Sequence, residues 1–183
     1  MNSRLNARCI ELHKASADAG WWPDQVTPEL VATKLMLVVT ELSEADEGFV
    51  SGGKDQHLPH LDSFAVELAD ARIRIFDLCG KLGIAVGDIV EGFISEANEI
   101  GGNDHSYRIM DAVNAISKAM EGHRKGRHEQ LAEGLGEALF IVDVIAETYG
   151  YDIESVTDEK RDYNAQRADH KPDARAAAGG KKL

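Results

Sequence analysis

Apolar residues recur with the period of an amphipathic helix along most of the chain, and this pattern predicts an all-α fold. Helices are predicted over residues 3–19, 28–49, 62–82, 86–100 and 153–168. Glycines follow several of these segments, as is typical of helix ends. We therefore expect a bundle of long helices joined by short connections.

On the second and third of these segments, two pairs of carboxylates stand in otherwise apolar surroundings. Glu41 and Glu44 continue a helical column that begins with leucines, and Glu67 and Asp70 form a narrow polar arc with apolar residues on both sides. Residues three apart lie on one face of a helix. A solvated face is not normally bordered by apolar residues on both sides, so we expect the four acids to meet in a partly buried space.

Carboxylates gathered in such a space repel one another and take up protons unless a cation neutralises them. Oxygen ligands suit a hard ion such as Mg²⁺ or Mn²⁺. The alternative is that the two pairs form the acidic outer faces of two amphipathic helices. The positions of the acids around the helix favour the metal site.

Beyond the glycine-rich break at 101–103 the sequence is similar to itself. Residues 117–122 align with 43–48, and residues 140–156 align with 74–90. Similarity of this kind predicts a duplicated helical unit, an internal pseudo-repeat of the core helices.

The predicted repeat divides the chain into a half that carries the acids (1–100), a second half that completes the bundle (104–168) and a C-terminal tail (169–183). Most of the acids are absent from the second half, where the aligned residues are Ala115 for Glu41, Lys118 for Glu44, Glu133 for Glu67 and Gly136 for Asp70. One working metal site and one degenerate copy would account for this difference.

Other residues are candidates for contacts with a substrate. Lys160, Asn164 and Arg167 share one helical face, where the cations could bind phosphate and the amide a sugar or base edge. Lys54 lies in a polar loop that could act as a mobile flap over phosphate, and Trp22 could offer its ring to a nucleobase. The alternatives are a solvated helix, a solvated loop and a tryptophan that covers the core.

Composition narrows the choice of partner and compartment. A net charge of −12 argues against a nucleic-acid polymer, and it permits a small anionic ligand only where metal ions bridge the charge. The sequence has no apolar run of membrane length. The two cysteines, Cys9 and Cys79, are expected to be core residues in a reducing compartment, which favours the cytoplasm of a bacterium or of a phage-infected cell.

Taken in order, Glu-x-x-Glu, Glu-x-x-Asp and a C-terminal Lys-x-x-x-Asn-x-x-Arg resemble the motifs of the MazG-like all-α nucleoside triphosphate pyrophosphohydrolases, the superfamily that includes the dimeric dUTPases. Segments 67–77 and 163–171 are similar to a phage and bacterial branch of it, and the resemblance covers most of residues 20–175.

The resemblance implies a MazG-like helical bundle that controls nucleotide pools by converting an NTP or dNTP to the monophosphate and pyrophosphate. It implies a homodimer or homotetramer, and Mg²⁺, or Mn²⁺, held by Glu41, Glu44, Glu67 and Asp70. Glu41 or Glu44 would accept the proton of the attacking water, with Glu41 favoured. The substrate would contact Lys160, Asn164 and Arg167.

Two other functions fit an acidic helical bundle. A di-iron carboxylate protein would require Glu-x-x-His on two helices, and neither carboxylate pair supplies the histidine. A non-catalytic nucleotide-binding or regulatory module would have the same fold. The sequence does not indicate which base is preferred, because the acidic motifs would contact the metal and the phosphates rather than the base.

Overall fold

The computed structural model describes residues 2–96 and 105–177. These residues form the helices α1 Asn2–Asp18, α2 Pro28–Ser51, α3 Ser63–Leu82, α4 Val86–Glu96, α5 His105–Arg124, α6 His128–Thr148, α7 Ile153–Gln166 and α8 Pro172–Ala176, with a 3₁₀ turn, Ala168–His170, before the last. The predicted all-α fold is confirmed. The end of the predicted fourth helix and the glycine-rich break at 101–103 lie outside the described residues.

Local sequence explains where α2 and α3 begin and end. The Thr27 hydroxyl accepts a hydrogen bond from the Leu30 backbone N–H, and a proline opens the helix, as predicted. Gly52 and Gly83 follow the two helices with positive φ angles of 63° and 68°. Glycine adopts this left-handed conformation without the steric cost that a Cβ would add.

The bundle is built around α3, which packs against α1, α2, α6 and α7. Two antiparallel pairs, α2 with α3 and α5 with α6, make the most extensive contacts and share one continuous apolar core. Cys9 and Cys79 are buried and reduced between α1 and α3, in agreement with the expectation of core cysteines. Within the described residues, no helix is both long and apolar enough to cross a membrane.

A glycine permits close approach in each helix pair. A Cβ on Gly48 would lie 2.9 Å from the Phe64 nitrogen, and a Cβ on Gly122 would lie 2.5 Å from the Leu131 nitrogen. The predicted repeat aligns these two glycines. Their shared role agrees with the alignment, although the repeat itself stays a prediction.

Candidate metal centre

Three of the four predicted acids meet where α2 and α3 run antiparallel. Glu41, Glu67 and Asp70 each place one carboxylate oxygen within 4.8 Å of those of the other two. Glu67 and Asp70 are neighbours along α3, and Glu41 approaches from α2 with only 6% of its surface exposed. Among the described residues, this is the group of acids whose geometry could hold a metal ion.

The three carboxylates carry more negative charge than their surroundings favour. Burial raises the pKa of Glu67 to about 8, with Asp70, Glu41 and Glu44 adding to the rise and Lys160 opposing it. Burial also raises the pKa of Asp70, against the effect of Lys160. Without a further cation, the cluster therefore holds a proton at neutral pH. A divalent cation would relieve the same repulsion, and the all-oxygen donor set suits Mg²⁺ or Mn²⁺.

Glu44 stands apart from this cluster, although the sequence predicted that all four acids would meet. Its side chain is exposed and lines an open groove beside Glu67, together with the hydroxyls of Ser43 and Ser63. It is still near enough to raise the pKa of Glu67. The reason is that three residues fall short of a full helical turn, so Glu44 is rotated about 60° around α2 from Glu41, towards the solvent edge of the α2–α3 interface.

Two of the predicted substrate contacts from α7 reach the acids directly. Lys160 Nζ lies 3.0 Å from Asp70 Oδ2, and Asn164 Nδ2 donates to Asp70 Oδ1 at 3.4 Å. Lys160 is buried, with 4% of its surface exposed. On the other side of the cluster, Arg74 forms an ion pair with Glu41. This ion pair was not predicted from the sequence.

Arg167 and Lys54 are placed farther out. The Arg167 guanidinium pairs with Asp169 at 2.7 Å, and Lys54 Nζ pairs with Asp62 at 2.7 Å. More than half of the Lys54 side chain is exposed. Neither residue contacts the three acids, although Asp70 is close enough to contribute to the raised pKa of Arg167.

Hydrogen bonds hold the polar loop between α2 and α3 in place. Asp55 is buried and accepts hydrogen bonds from the backbone N–H groups of His57 and Leu58 at 2.9 and 2.7 Å. The loop is also joined to α7, because His60 Nε2 lies 2.7 Å from Glu159 Oε2. These contacts argue against the predicted mobile flap.

The interpretation of Trp22 as a base-stacking residue is wrong. Trp22 is buried, its indole N–H donates to Asp77 at 2.7 Å, and the Lys34 ammonium lies 4.6 Å from its ring centroid. The preceding residue, Trp21, instead lines a cavity beside the acids. The sequence did not distinguish between these adjacent tryptophans.

This cavity was not predicted. It has a volume of about 170 Å³ and lies among α1, α3, α7 and the 3₁₀ turn, with Asp70 in its wall. Lys34 and Asp77 also line it. They are seven residues from Glu41 on α2 and from Asp70 on α3, so a search along the same helical faces would have found them.

The second helix pair has an ion pair in place of the acids. Lys118 Nζ lies 3.5 Å from Glu133 and 3.1 Å from Glu137. In the predicted alignment, Lys118 replaces Glu44 and Glu133 replaces Glu67. One ammonium faces two carboxylates there, whereas the α2–α3 cluster is the one place in the described part of the chain where three acids lie within reach of a single ion.

Comparison with models of protein families, with curated proteins and with solved structures gives no match to this chain.

Proposed function

We propose that this protein is a Mg²⁺-dependent pyrophosphohydrolase that converts a nucleoside triphosphate, NTP or dNTP, to the monophosphate and pyrophosphate. The observation that carries the proposal is the cluster of Glu41, Glu67 and Asp70, whose oxygens lie within 4.8 Å of one another. Its excess negative charge, expressed in the Glu67 pKa of about 8, is what a divalent cation would neutralise. The resemblance of the motifs to MazG-like enzymes supports the same activity.

In this proposal, Glu41, Glu67 and Asp70 hold Mg²⁺, and Mn²⁺ would fit the same oxygen donors. When bound, such an ion neutralises phosphate oxygens and lowers the pKa of a nearby water. In the described part of the chain, the cluster is paired with two cationic side chains, Arg74 and Lys160. Three carboxylates outnumber these two cations, so the cluster keeps a negative charge that a metal ion would neutralise.

Glu44 is the better candidate for the proton acceptor, although the resemblance favoured Glu41. Glu41 is buried and occupied by Arg74, whereas Glu44 is exposed beside Glu67 in an open groove. A water entering that groove could pass its proton to Glu44 as its oxygen attacks phosphorus. General bases must lie within hydrogen-bond reach of the proton they accept.

Lys160, Asn164 and Arg167 would bind the phosphates in this proposal. Lys160 is now directed at Asp70, and a metal ion that neutralised Asp70 would release the ammonium for a phosphate oxygen. We further propose that the active protein is a homodimer or homotetramer located in the cytoplasm.

The test is incubation of the full-length protein with Mg²⁺ and each common NTP and dNTP, with detection of pyrophosphate and monophosphate. We expect turnover of at least one nucleotide and its loss in Glu67→Gln. Glu133→Gln is the matched control, because the alignment places it in the corresponding position of the second helix pair. Absence of turnover with every nucleotide, or full activity of Glu67→Gln, would refute the proposal.

A non-catalytic nucleotide-binding or regulatory module is the second candidate. It is favoured by the 3.0 Å contact of Lys160 with Asp70, because an internal ammonium already neutralises part of the cluster, as Lys118 does in the second pair. Calorimetric titration with Mn²⁺ separates the two candidates. The enzyme must bind Mn²⁺, and Glu67→Gln must weaken this binding. The non-catalytic module requires no Mn²⁺ binding at these acids.

A further inference from the structure

One side of the helical bundle is covered by further helices, and the opposite side is exposed. Helices α2, α3, α6 and α5 pack in this cyclic order, and α1, α4 and α7 make their main contacts with α3 and α6. Among the described helices, none makes its main contacts with the outer side of α2 and α5. We call this outer surface the α2–α5 face; its exposed residues are Met36, Thr40 and Ser43 of α2 and Met110, Asn114 and Ser117 of α5.

The α2 half of this face carries no charge over about 20 Å of helix, from residue 30 to residue 43. The charged residues in this range are Lys34 and Glu41, and both are buried. The exposed residues are Met36, with 60% of its surface accessible, and two hydroxyl-bearing side chains. Because 28% of the residues in the chain are charged, composition does not account for four exposed turns without a charge.

The α5 half of the face has the same character. Met110 is 55% exposed, and Asn114 and Ser117 follow it on the same side of the helix. The charged residues between 109 and 120 are Asp111 and Lys118, which are seven positions apart and so lie on one side of α5. That side is turned towards α6, because Lys118 pairs with two acids of α6.

The two halves lie side by side and run in opposite directions. His123 Nε2 donates to the Pro28 carbonyl at 2.8 Å, which places the end of α5 beside the start of α2. Counted from this contact, Met36 and Met110 are about 8 Å apart along the bundle axis. The register of the predicted repeat aligns the same two methionines. The face therefore presents similar groups on two antiparallel helices.

A face with these properties is suited to a second copy of the same chain. In a twofold dimer the same patch of both subunits meets itself, so the patch has to be self-complementary. Two antiparallel helices with like residues at aligned positions meet this requirement. The centres of protein interfaces are depleted in charged residues and enriched in methionine. Two chains that each carry a net charge of −12 also repel each other least where neither presents a charge.

The size of the α2–α5 face is close to what a small dimer requires. It is about 20 Å long and, as two adjacent helices, about 20 Å wide, which gives about 400 Å² in projection on each copy. Its accessible surface is larger, because side chains project from it and because its rim is buried with it. Specific dimers bury upwards of about 600 Å² per partner, and the face with its rim reaches the lower end of this range.

We propose that the α2–α5 face is the interface of a homodimer, in which Met36 and Met110 of each copy pack against the same face of the other. The inference deepens the proposed function by assigning a surface to the oligomer, and it rests on that proposal for the oligomer alone and on no catalytic step. Thr40 and Ser43 also line the open groove that holds Glu44, so the second copy would stand at the edge of this groove.

The test is sedimentation velocity of the full-length protein over a range of concentrations, in EDTA and without nucleotide. We expect a dimer that dissociates to monomers on dilution. Because neither metal nor substrate is present, the result does not depend on the candidate metal centre. Cross-linking of Met36→Cys with a short bis-maleimide provides a second readout, since the native Cys9 and Cys79 are buried.

Two variants locate the interface. Met36→Lys and Met110→Lys should each raise the Kd of the dimer about tenfold or more, because each copy would bury an ammonium without a partner. Ile10→Lys is the matched control, since Ile10 is an apolar residue of α1 that is 71% exposed on the opposite side of the bundle. All three side chains are exposed in the single chain, so circular dichroism should report an unchanged fold.

A monomer at every concentration would overturn the inference. So would a dimer whose Kd is unchanged in either methionine variant, or is raised as much by Ile10→Lys. Turnover of a triphosphate by a protein that stays monomeric would overturn the interface and leave the pyrophosphohydrolase proposal standing. A dimer that Met36→Lys and Met110→Lys both dissociate, without turnover of any triphosphate, would support the interface and overturn the pyrophosphohydrolase proposal.

Discussion

The ammonium of Lys160 lies 3.0 Å from the Asp70 carboxylate inside the candidate metal centre. Burial opposes the charge on Lys160, but Asp70, Glu67 and Asp55 outweigh this effect and raise its pKa. Helix α7 therefore delivers a permanent cation to the acids of α3. A metal ion and Lys160 would compete for the same carboxylate.

This competition predicts the behaviour of Lys160→Met. The variant should bind Mn²⁺ more tightly than the wild type, because the cluster gains a full negative charge. In EDTA its free energy of unfolding should fall by about 2–4 kcal/mol, since a buried carboxylate loses its partner. Calorimetric titration and urea denaturation measure the two effects.

Lys118→Met is the control for that experiment. Lys118 is more exposed, pairs with Glu133 and Glu137, and belongs to the second helix pair. We expect a change in stability of less than about 1 kcal/mol and no change in Mn²⁺ affinity. Equal effects of the two substitutions on Mn²⁺ affinity would contradict the assignment of the metal centre.

The raised pKa of Glu67 makes the stability of the metal-free protein depend on pH. The folded state holds the Glu67 proton up to about pH 8, whereas the ordinary pKa is 4.5, so folding takes up a proton between these values. The free energy of unfolding in EDTA should therefore decrease as pH rises through this window. After allowance for its partial exposure, we expect Glu67 to contribute about 1–2 kcal/mol of this decrease.

Glu67→Gln should flatten this dependence between pH 5 and 8, as measured by urea denaturation in EDTA. Added Mg²⁺ should have the same effect on the wild type, because the ion replaces the proton. Glu133→Gln should keep the wild-type slope. An unchanged slope in Glu67→Gln would show that the carboxyl titrates normally.

The close contact of α2 with α3 at Gly48 connects helix packing with the geometry of the candidate metal centre. A Cβ there would lie 2.9 Å from the Phe64 nitrogen, so Gly48→Ala must push α2 and α3 apart. We expect a loss of about 1–3 kcal/mol in stability and weaker Mn²⁺ binding, because Glu41 and Glu67 lie on the separated helices. Gly122→Ala should destabilise the protein comparably yet leave Mn²⁺ affinity unchanged.

A buried arginine far from the open groove should matter only for stability. Arg72 is 1% exposed and is held by Asp143 at 2.8 Å, Glu154 and Thr157. Arg72→Leu leaves the Asp143 carboxylate without its ion-pair partner, whereas Glu154 keeps its pairs with two other arginines, and should cost about 3–5 kcal/mol. Arg124→Leu, which removes an exposed pair with Glu121, should have a much smaller effect, because solvent screens such a pair. Comparable losses in urea denaturation would contradict this difference.

Helical periodicity was sufficient to predict the fold and the face on which the acids lie, because both depend on which side of each helix is apolar. The start of α2 at its Thr27–Pro28 signal is an example. The separation of Glu44 from the other acids could not be predicted in the same way. It depends on how far the α2–α3 interface extends around α2, because the two helices still touch at Gly48, beyond Glu44, and this width is a property of packing between elements.

Contacts between residues far apart in the sequence could not be predicted for the same reason. Nothing local indicates that Asp77 would bind His13 of α1 and the indole of Trp22, or that the C-terminal segment would cover Trp21. These contacts join residues 55 or more positions apart. The cavity exists only after α1, α3 and α7 have been brought together.

The side chain of Ile89 in α4 occupies the space into which a Cβ at Gly136 would project. Gly136 is the residue that the alignment sets against Asp70. In the predicted alignment, an aspartate at position 136 would therefore require a second change at Ile89, whose side chain fills the gap. A second centre at this position would thus take at least two substitutions, and the change at Ile89 alone would remove packing before any ion could bind.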